Sequence, residues 1–211
     1  MKRIATALVL IPLVVWLILG APWWAFVAAL IVVGLFALRE VIGIGRNAAI
    51  SALGGVIYIG GAWTCAFELR ALNPHWLLFA FLLCWAGDTA ALYIGKNFGR
   101  HKLAPKISPG KTWEGAIASV AGGVLVGGIY AHYLIPAATM GLVLMIGALG
   151  NIAGQIGDLV ESAYKRWGGV KDSGSSLPGH GGWLDRIDSS LVSVPVVYAL
   201  VRILAEGARS Q

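Results

Sequence analysis

Five carboxylates, four basic side chains and one histidine lie between Asp158 and Asp188, in a chain that is only 12% charged. The stretch reads DLVESAYKRWGGVKDSGSSLPGHGGWLDRID. Carboxylates and cations interleaved with glycine suit a divalent metal ion and a polyphosphate, and do not suit a surface that faces lipid. Asp158, Glu161, Ser162 and Lys165 recur at i, i+3, i+4 and i+7, so on a helix they form one polar stripe. Asp185 and Asp188 are spaced i, i+3, and Arg186 between them carries a fork that can hold a phosphate. If the segments bearing the two acidic pairs pack together, their oxygens make a site for Mg²⁺, which takes one or two carboxylates along with substrate phosphates. The plainer alternatives are a structural ion pair at a helix end and, for one of the aspartates, attraction to a helix N-terminus.

Between the two pairs run Gly168-Gly169, Lys171-Asp172, Ser173-Gly174-Ser175-Ser176 and Pro178-Gly179-His180-Gly181-Gly182. Glycines let backbone N–H groups approach a phosphate. A Gly/Ser segment is also the ordinary composition of a flexible loop. His180 has glycines around it and little to pack against, which favours a functional role over a structural one.

The elements that position these residues must be membrane helices. Hydrophobic residues make up 58% of the 211, and the mean hydropathy is +0.78. That is more apolar than a soluble domain, at roughly 45–50%. Seven apolar segments approach the roughly 20 residues that a spanning helix needs. They fall near 4–20, 22–38, 48–67, 76–95, 112–134, 138–158 and 189–206. Long, Gly-interrupted runs without period-2 alternation argue for helices rather than a barrel. The expected fold is an all-α polytopic bundle: three N-terminal spans in 1–75 and a catalytic unit of four in 76–211, with polar loops 96–111 and 159–188. The short apolar run after Lys2 and Arg3 ends without a small-x-small cleavage site, so it reads as a retained first span.

With the N-terminus in the cytoplasm, thirteen Lys and Arg fall inside and three outside, as the positive-inside rule requires. Both polar loops then face the cytoplasm, where nucleotides and magnesium are available. This distribution accounts for the net charge of +6 without nucleic acid. Trp23, Trp24 and Trp76 sit at expected span edges and read as interfacial anchors. Cys65 and Cys84 lie in apolar runs and read as reduced, buried thiols. Asp88, within the fourth span, is by default a functional residue, with a helix–helix hydrogen bond as its alternative. The basic loop from Lys96 to Lys111 ends in Pro-Gly-Lys-Thr. It is not a Walker A sequence, because Pro105 stands where the first glycine belongs. Ser108 or Thr112 is placed to cap the fifth span.

Three stretches together resemble the CDP-diacylglycerol synthases, or phosphatidate cytidylyltransferases. The longest is Ser162-x-x-Lys165-Arg166, Lys171-Asp172-Ser173-Gly174 and Pro178-Gly179-His180-Gly181-Gly182-x-x-Asp185-Arg186-x-Asp188. The others are Gly87-Asp88-Thr89 through Gly95-Lys96-Asn97-Phe98-Gly99, and Ser108-Pro109-Gly110-Lys111-Thr112-Trp113-Glu114-Gly115. The similarity covers residues 80–195; the members compared are longer, with additional helices in their N-terminal half.

The resemblance implies Mg²⁺-dependent transfer of CMP from CTP to phosphatidic acid, giving CDP-diacylglycerol and pyrophosphate in phospholipid biosynthesis. It implies Asp158, Asp185 and Glu161 as metal ligands, and leaves room for a second cation. Lys165, Asp188, His180 and Asp88 would serve catalysis. Ser162, Arg166, Lys171, Arg186, Gly181, Gly182 and Lys111 would bind substrate, with Lys111 and Asp88 on the lipid side. It further implies a homodimer in the plasma membrane or cell inner membrane, in contact with membrane lipids and with no nucleic-acid partner. From the residues alone, an ion-coupled transporter remains open, as does a CTP-dependent transferase or kinase acting on an isoprenoid or ether lipid.

Overall fold

The computed structural model describes residues 2–174, 176 and 181–207. Its helices are α1 (Lys2–Leu19), α2 (Trp23–Ile44), α3 (Ala48–Leu72), α4 (Pro74–Phe98), α5 (Trp113–Leu134), α6 (Met140–Trp167), the short α7 (Leu184–Ile187) and α8 (Ser190–Gly207). Among the described residues, six helical segments are long and apolar enough to cross a membrane, the last being Leu184–Leu204, and the apolar part of α1, Leu8–Leu19, is shorter. The expected polytopic helical bundle is thus the observed architecture.

Local chemistry sets the helix starts. Asn47 Oδ1 accepts from the Ile50 N–H at 3.1 Å, and Asn73 Oδ1 from the His75 N–H at 2.9 Å, with Pro74 in the first turn. Of the two candidate caps for α5, Thr112 is the one used: its Oγ1 accepts from the Gly115 N–H at 3.1 Å. Each cap satisfies a backbone donor that a helix start leaves open. The basic segment before α5 is more ordered than a plain loop. It holds an antiparallel hairpin of β1 (Lys102–Ala104) and β2 (Ser108–Thr112), clamped by Glu114, which lies 2.6 Å from His101 Nδ1.

Close helix approach depends on glycine. A Cβ on Gly123 of α5 would lie 2.8 Å from the Leu83 carbonyl oxygen of α4. On α6, a Cβ on Gly157 would lie 2.7 Å from the Asp188 carbonyl oxygen and 2.9 Å from Val192 Cγ2. Bare backbone at such positions lets helices pack without a hydrophobic driving force in lipid. The main core gathers Phe79, Leu83, Ile146, Val194 and Val197, each almost fully buried. Trp76 belongs to this core, 8% exposed and edge-on to Phe79 at 5.4 Å. It is therefore no interfacial anchor, whereas Trp23 and Trp24 are exposed. At the end away from the polar loops, Arg70 Nε donates to the Ile18 carbonyl at 2.8 Å and its Nη2 to that of Ala21. The guanidinium stacks over Trp23 and Phe26 at 4.4 and 4.5 Å, tying the α1–α2 turn to α3.

Because Gly157 meets backbone that cannot yield, Gly157→Leu is expected to lower stability by about 1–3 kcal/mol through overpacking. Gly54→Ala, where an added Cβ meets nothing within 4 Å, is expected to melt within a degree or two of the parent. Thermal unfolding in detergent micelles checks both.

Candidate functional site

Helix α6 continues to Trp167, about two turns past the apolar segment expected from hydropathy. The stripe Asp158–Glu161–Ser162–Lys165 therefore stays helical and faces the turn between α7 and α8. The contact at Gly157 brings that turn alongside. As a result one carboxylate oxygen each from Asp158, Glu161 and Asp188 lie within 4.8 Å of one another.

Two lysines neutralise parts of this cluster. Lys111 Nζ, delivered by β2, lies 2.6 Å from Asp158 Oδ2. Lys165 Nζ lies 2.9 Å from Glu161 Oε2 and 2.5 Å from Asp185 Oδ1, and all three side chains are nearly buried. Ser162 Oγ donates to Asp158 Oδ1 at 3.3 Å. The Ser189 N–H donates to Asp188 Oδ1 at 2.6 Å.

Asp185 stands between the cluster and the preceding loop, sharing Lys165 with Glu161. Its Oδ2 accepts from the Ser173 N–H at 3.1 Å, Ser173 Oγ at 2.9 Å and the Gly182 N–H at 2.8 Å. The Gly182 N–H is thus committed within the protein. Gly181 is at φ +77°, a conformation that favours glycine, and a Cβ there would lie 2.6 Å from Asp185 Oδ2. Arg166 holds two neighbouring segments, donating to the Ile107 carbonyl at 3.3 Å and that of Val170 at 3.2 Å. Lys171 and Arg186 are exposed. His180 lies outside the described residues.

Asp88 on α4 is within electrostatic reach of Asp158, Lys111 and Arg186. It opens onto a cavity of about 300 Å³ that also admits Asp185, Arg186 and Asp188. The rest of that cavity is apolar, walled by Leu10, Val14, Phe26, Leu30, Ala66 and Leu77. One end is charged and the other is hydrocarbon.

The donor set fits a hard divalent cation. Asp88, Asp158, Glu161, Asp185 and Asp188 face Lys111, Lys165 and Arg186, a formal excess of two negative charges. Glu161 Oε1 is buried without a hydrogen-bond partner among the described residues, an arrangement that is costly for a carboxylate unless a cation satisfies it.

Sequence reasoning missed Glu40. It lies near the end of α2, is 7% exposed, and has four donors around it, three from the segment before α7 and one from the first residue of α7. Ser176 Oγ and the Trp183 N–H donate to Oε1 at 3.1 and 3.0 Å. Ser173 Oγ and the Leu184 N–H donate to Oε2 at 2.8 and 2.9 Å. The one available signal was an acidic residue, one turn from a span end, in an otherwise apolar helix. Tyr58 on α3 was also unmarked. Its hydroxyl is buried without a hydrogen-bond partner among the described residues and lies in the field of Asp188 and Glu161.

The profile of the cytidylyltransferase family matches residues 55–204. Among curated proteins, phosphatidate cytidylyltransferases of Staphylococcus aureus (strain COL) and Staphylococcus saprophyticus are each 41% identical over 155 residues. That of Staphylococcus epidermidis (strain ATCC 12228) is 41% identical over 146. Each alignment covers 69% of this chain and 56% of the relative. The chain thus spans little more than half the length of the curated relatives it matches.

Lys165 is the shared counter-ion of two nearly buried carboxylates. Removing one member of such a network leaves uncompensated charge, at about 3–5 kcal/mol. Lys165→Met is accordingly expected to lower the melting temperature in micelles by far more than Lys171→Met, whose lysine is exposed.

Proposed function

The chain belongs to the cytidylyltransferase family, and on that premise we propose that it transfers CMP from CTP to phosphatidic acid. The observation that carries the proposal is the two-ended cavity. Its charged end adjoins a metal-capable carboxylate cluster, and its other end is walled by membrane helices. A water-soluble acceptor would have no use for the apolar part. A transporter would have no need of Ser173 and Gly182 tied to Asp185 beside the cluster.

In the proposed reaction, a phosphate oxygen of phosphatidic acid attacks the α-phosphorus of CTP. The new P–O bond forms as the bond between the α-phosphorus and the bridging oxygen breaks, and pyrophosphate carries that electron pair away. The attacking phosphate monoester is already anionic near neutral pH, its second pKa being about 6, so no strong general base is required. The difficulty is electrostatic: two polyanions must meet.

Asp158, Glu161 and Asp188 would hold Mg²⁺. When bound, the ion supplies positive charge to screen the two phosphate groups and the charge that develops between them. Asp185 lies beside this set and fixes Lys165, so its part is to hold that lysine and the loop. Lys111 pairs with Asp158, and Lys165 with Glu161 and Asp185, which orients these carboxylates. Arg186 and Lys171 are placed to meet phosphate, and Asp88 and Arg186 line the charged end of the cavity. The loop carrying His180 would take the nucleotide side. The bundle would lie in the cytoplasmic or inner membrane with the cluster facing the cytoplasm, as the distribution of basic residues favours.

Asp158→Asn, Glu161→Gln and Asp188→Asn are each expected to reduce CMP transfer at least a hundredfold while the protein stays folded. The assay is formation of labelled CDP-diacylglycerol, with matching pyrophosphate release, from CTP and phosphatidic acid with and without Mg²⁺. Full activity in any of the three removes that residue from the metal site. No transfer by the parent protein under any divalent cation contradicts the proposed reaction.

A further inference from the structure

We infer that Glu40 of α2 is a positioning residue that latches Ser173, Ser176, Trp183 and Leu184 onto the bundle, so that a helix preceding the family-matched region completes the site. It touches none of the cluster carboxylates. What it touches is the segment that joins the polar stripe of α6 to α7, at both ends: Ser173 and Ser176 on one side, Trp183 and Leu184 on the other.

The fit is specific to a carboxylate. Each oxygen of Glu40 accepts one hydroxyl and one backbone N–H. A hydroxyl can turn its proton elsewhere, but a backbone N–H cannot. A glutamine in either orientation would therefore set its NH₂ against the fixed N–H of Trp183 or of Leu184. The surroundings are closed to side chains as well. A Cβ on Gly174 would lie 2.8 Å from Glu40 Oε1, and one on Gly182 would overlap both Ser173 Oγ and Glu40 Oε2. Trp183 also stacks on Phe36, one helical turn before Glu40, with ring centroids 5.9 Å apart.

Ser173 links this latch to the cluster. Its Oγ lies 2.8 Å from Glu40 Oε2 and 2.9 Å from Asp185 Oδ2, while its N–H serves Asp185. Its single hydroxyl proton can go to only one of the two carboxylates at a time. Asp185 in turn fixes Lys165, which pairs with Glu161. The chain Glu40–Ser173–Asp185–Lys165–Glu161 thus runs from α2 to the cluster through direct contacts. The inference rests on the proposed cytidylyl transfer only for its kinetic consequence; the latch itself is a statement about the segment.

The test has two arms, both on the full chain in micelles or nanodiscs. The first is hydrogen exchange of the Trp183 and Leu184 amides. Glu40→Gln is expected to speed it about tenfold or more, given the strength of hydrogen bonds to a charged acceptor. Glu40→Asp keeps both oxygens and the charge, and is expected to recover part of the protection. Amides of α4 and α5 should exchange as in the parent. The second arm is CMP transfer. The Glu40→Gln variant is expected to raise KM for CTP about tenfold and to leave KM for phosphatidic acid within about twofold, because most of the apolar wall of the cavity comes from α1 to α4, with Trp183 the one latched residue in its lining. Unchanged exchange at Trp183 and Leu184 overturns the latch. Faster exchange with an unchanged KM for CTP overturns its part in nucleotide binding. If the parent protein transfers no CMP, the proposed reaction fails and the exchange arm still decides the latch. If Glu40→Gln gives no folded protein, Ser176→Ala, which removes one donor at an exposed position, takes its place. A rise of about threefold at Trp183 supports the latch, and no rise overturns it.

Discussion

A carboxylate inside a membrane-spanning bundle costs several kcal/mol unless a cation or fixed hydrogen-bond donors compensate it. Most of the polar architecture of this chain answers that constraint. Asp158 has Lys111. Glu161 and Asp185 share Lys165. Asp185 and Glu40 take backbone and hydroxyl donors from the segment before α7 and from the first residue of α7. Compensation is incomplete where Asp158, Glu161 and Asp188 meet, with one oxygen of Glu161 buried and unpartnered among the described residues. Evolution tolerates such a residue of negative charge most readily where a cation is to be bound.

The packing serves the same end. Gly157 lets the α7–α8 turn sit against α6, and a side chain there would move Asp188 away from Asp158. On the neighbouring face, Asn151 of α6 donates to the Leu83 carbonyl at 2.9 Å and accepts from Ser119 and Gln155, which fixes α4, α5 and α6 to one another. The cluster is thus held by backbone contact and buried amides, both of which resist small displacements. The apolar cavity adjoins it because α1 and α2 stand off from α4 and α8 on the side that Asp88 faces.

Much of this was legible in the residues. The helical stripe of Asp158, Glu161 and Lys165 follows from spacing alone, and the Glu161–Lys165 pair is its i, i+4 consequence. The concentration of charge before the last apolar segment marked the right region. What spacing could not give was the partners of Asp185 and Asp188. The two share the single turn of α7 and its C-cap, and both line the cavity. Asp185 takes Lys165 and Ser173, 20 and 12 residues away, while Asp188 meets Asp158 and Glu161. Nor does any local pattern join Glu40 to Ser173, 133 residues away. Trp76 failed for a related reason: a tryptophan near a span end is an anchor or a core residue according to which helix face it occupies, and the sequence around it is apolar on every side.

The central claim is that Asp158, Glu161 and Asp188 form one divalent cation site. Titration of the purified protein with Mn²⁺, followed by electron paramagnetic resonance in the absence of nucleotide, tests it most directly. The account predicts one bound Mn²⁺ per chain, displaced by Mg²⁺ and lost in Glu161→Gln. Binding of the same strength in Glu161→Gln, or no binding by the parent protein, would contradict it.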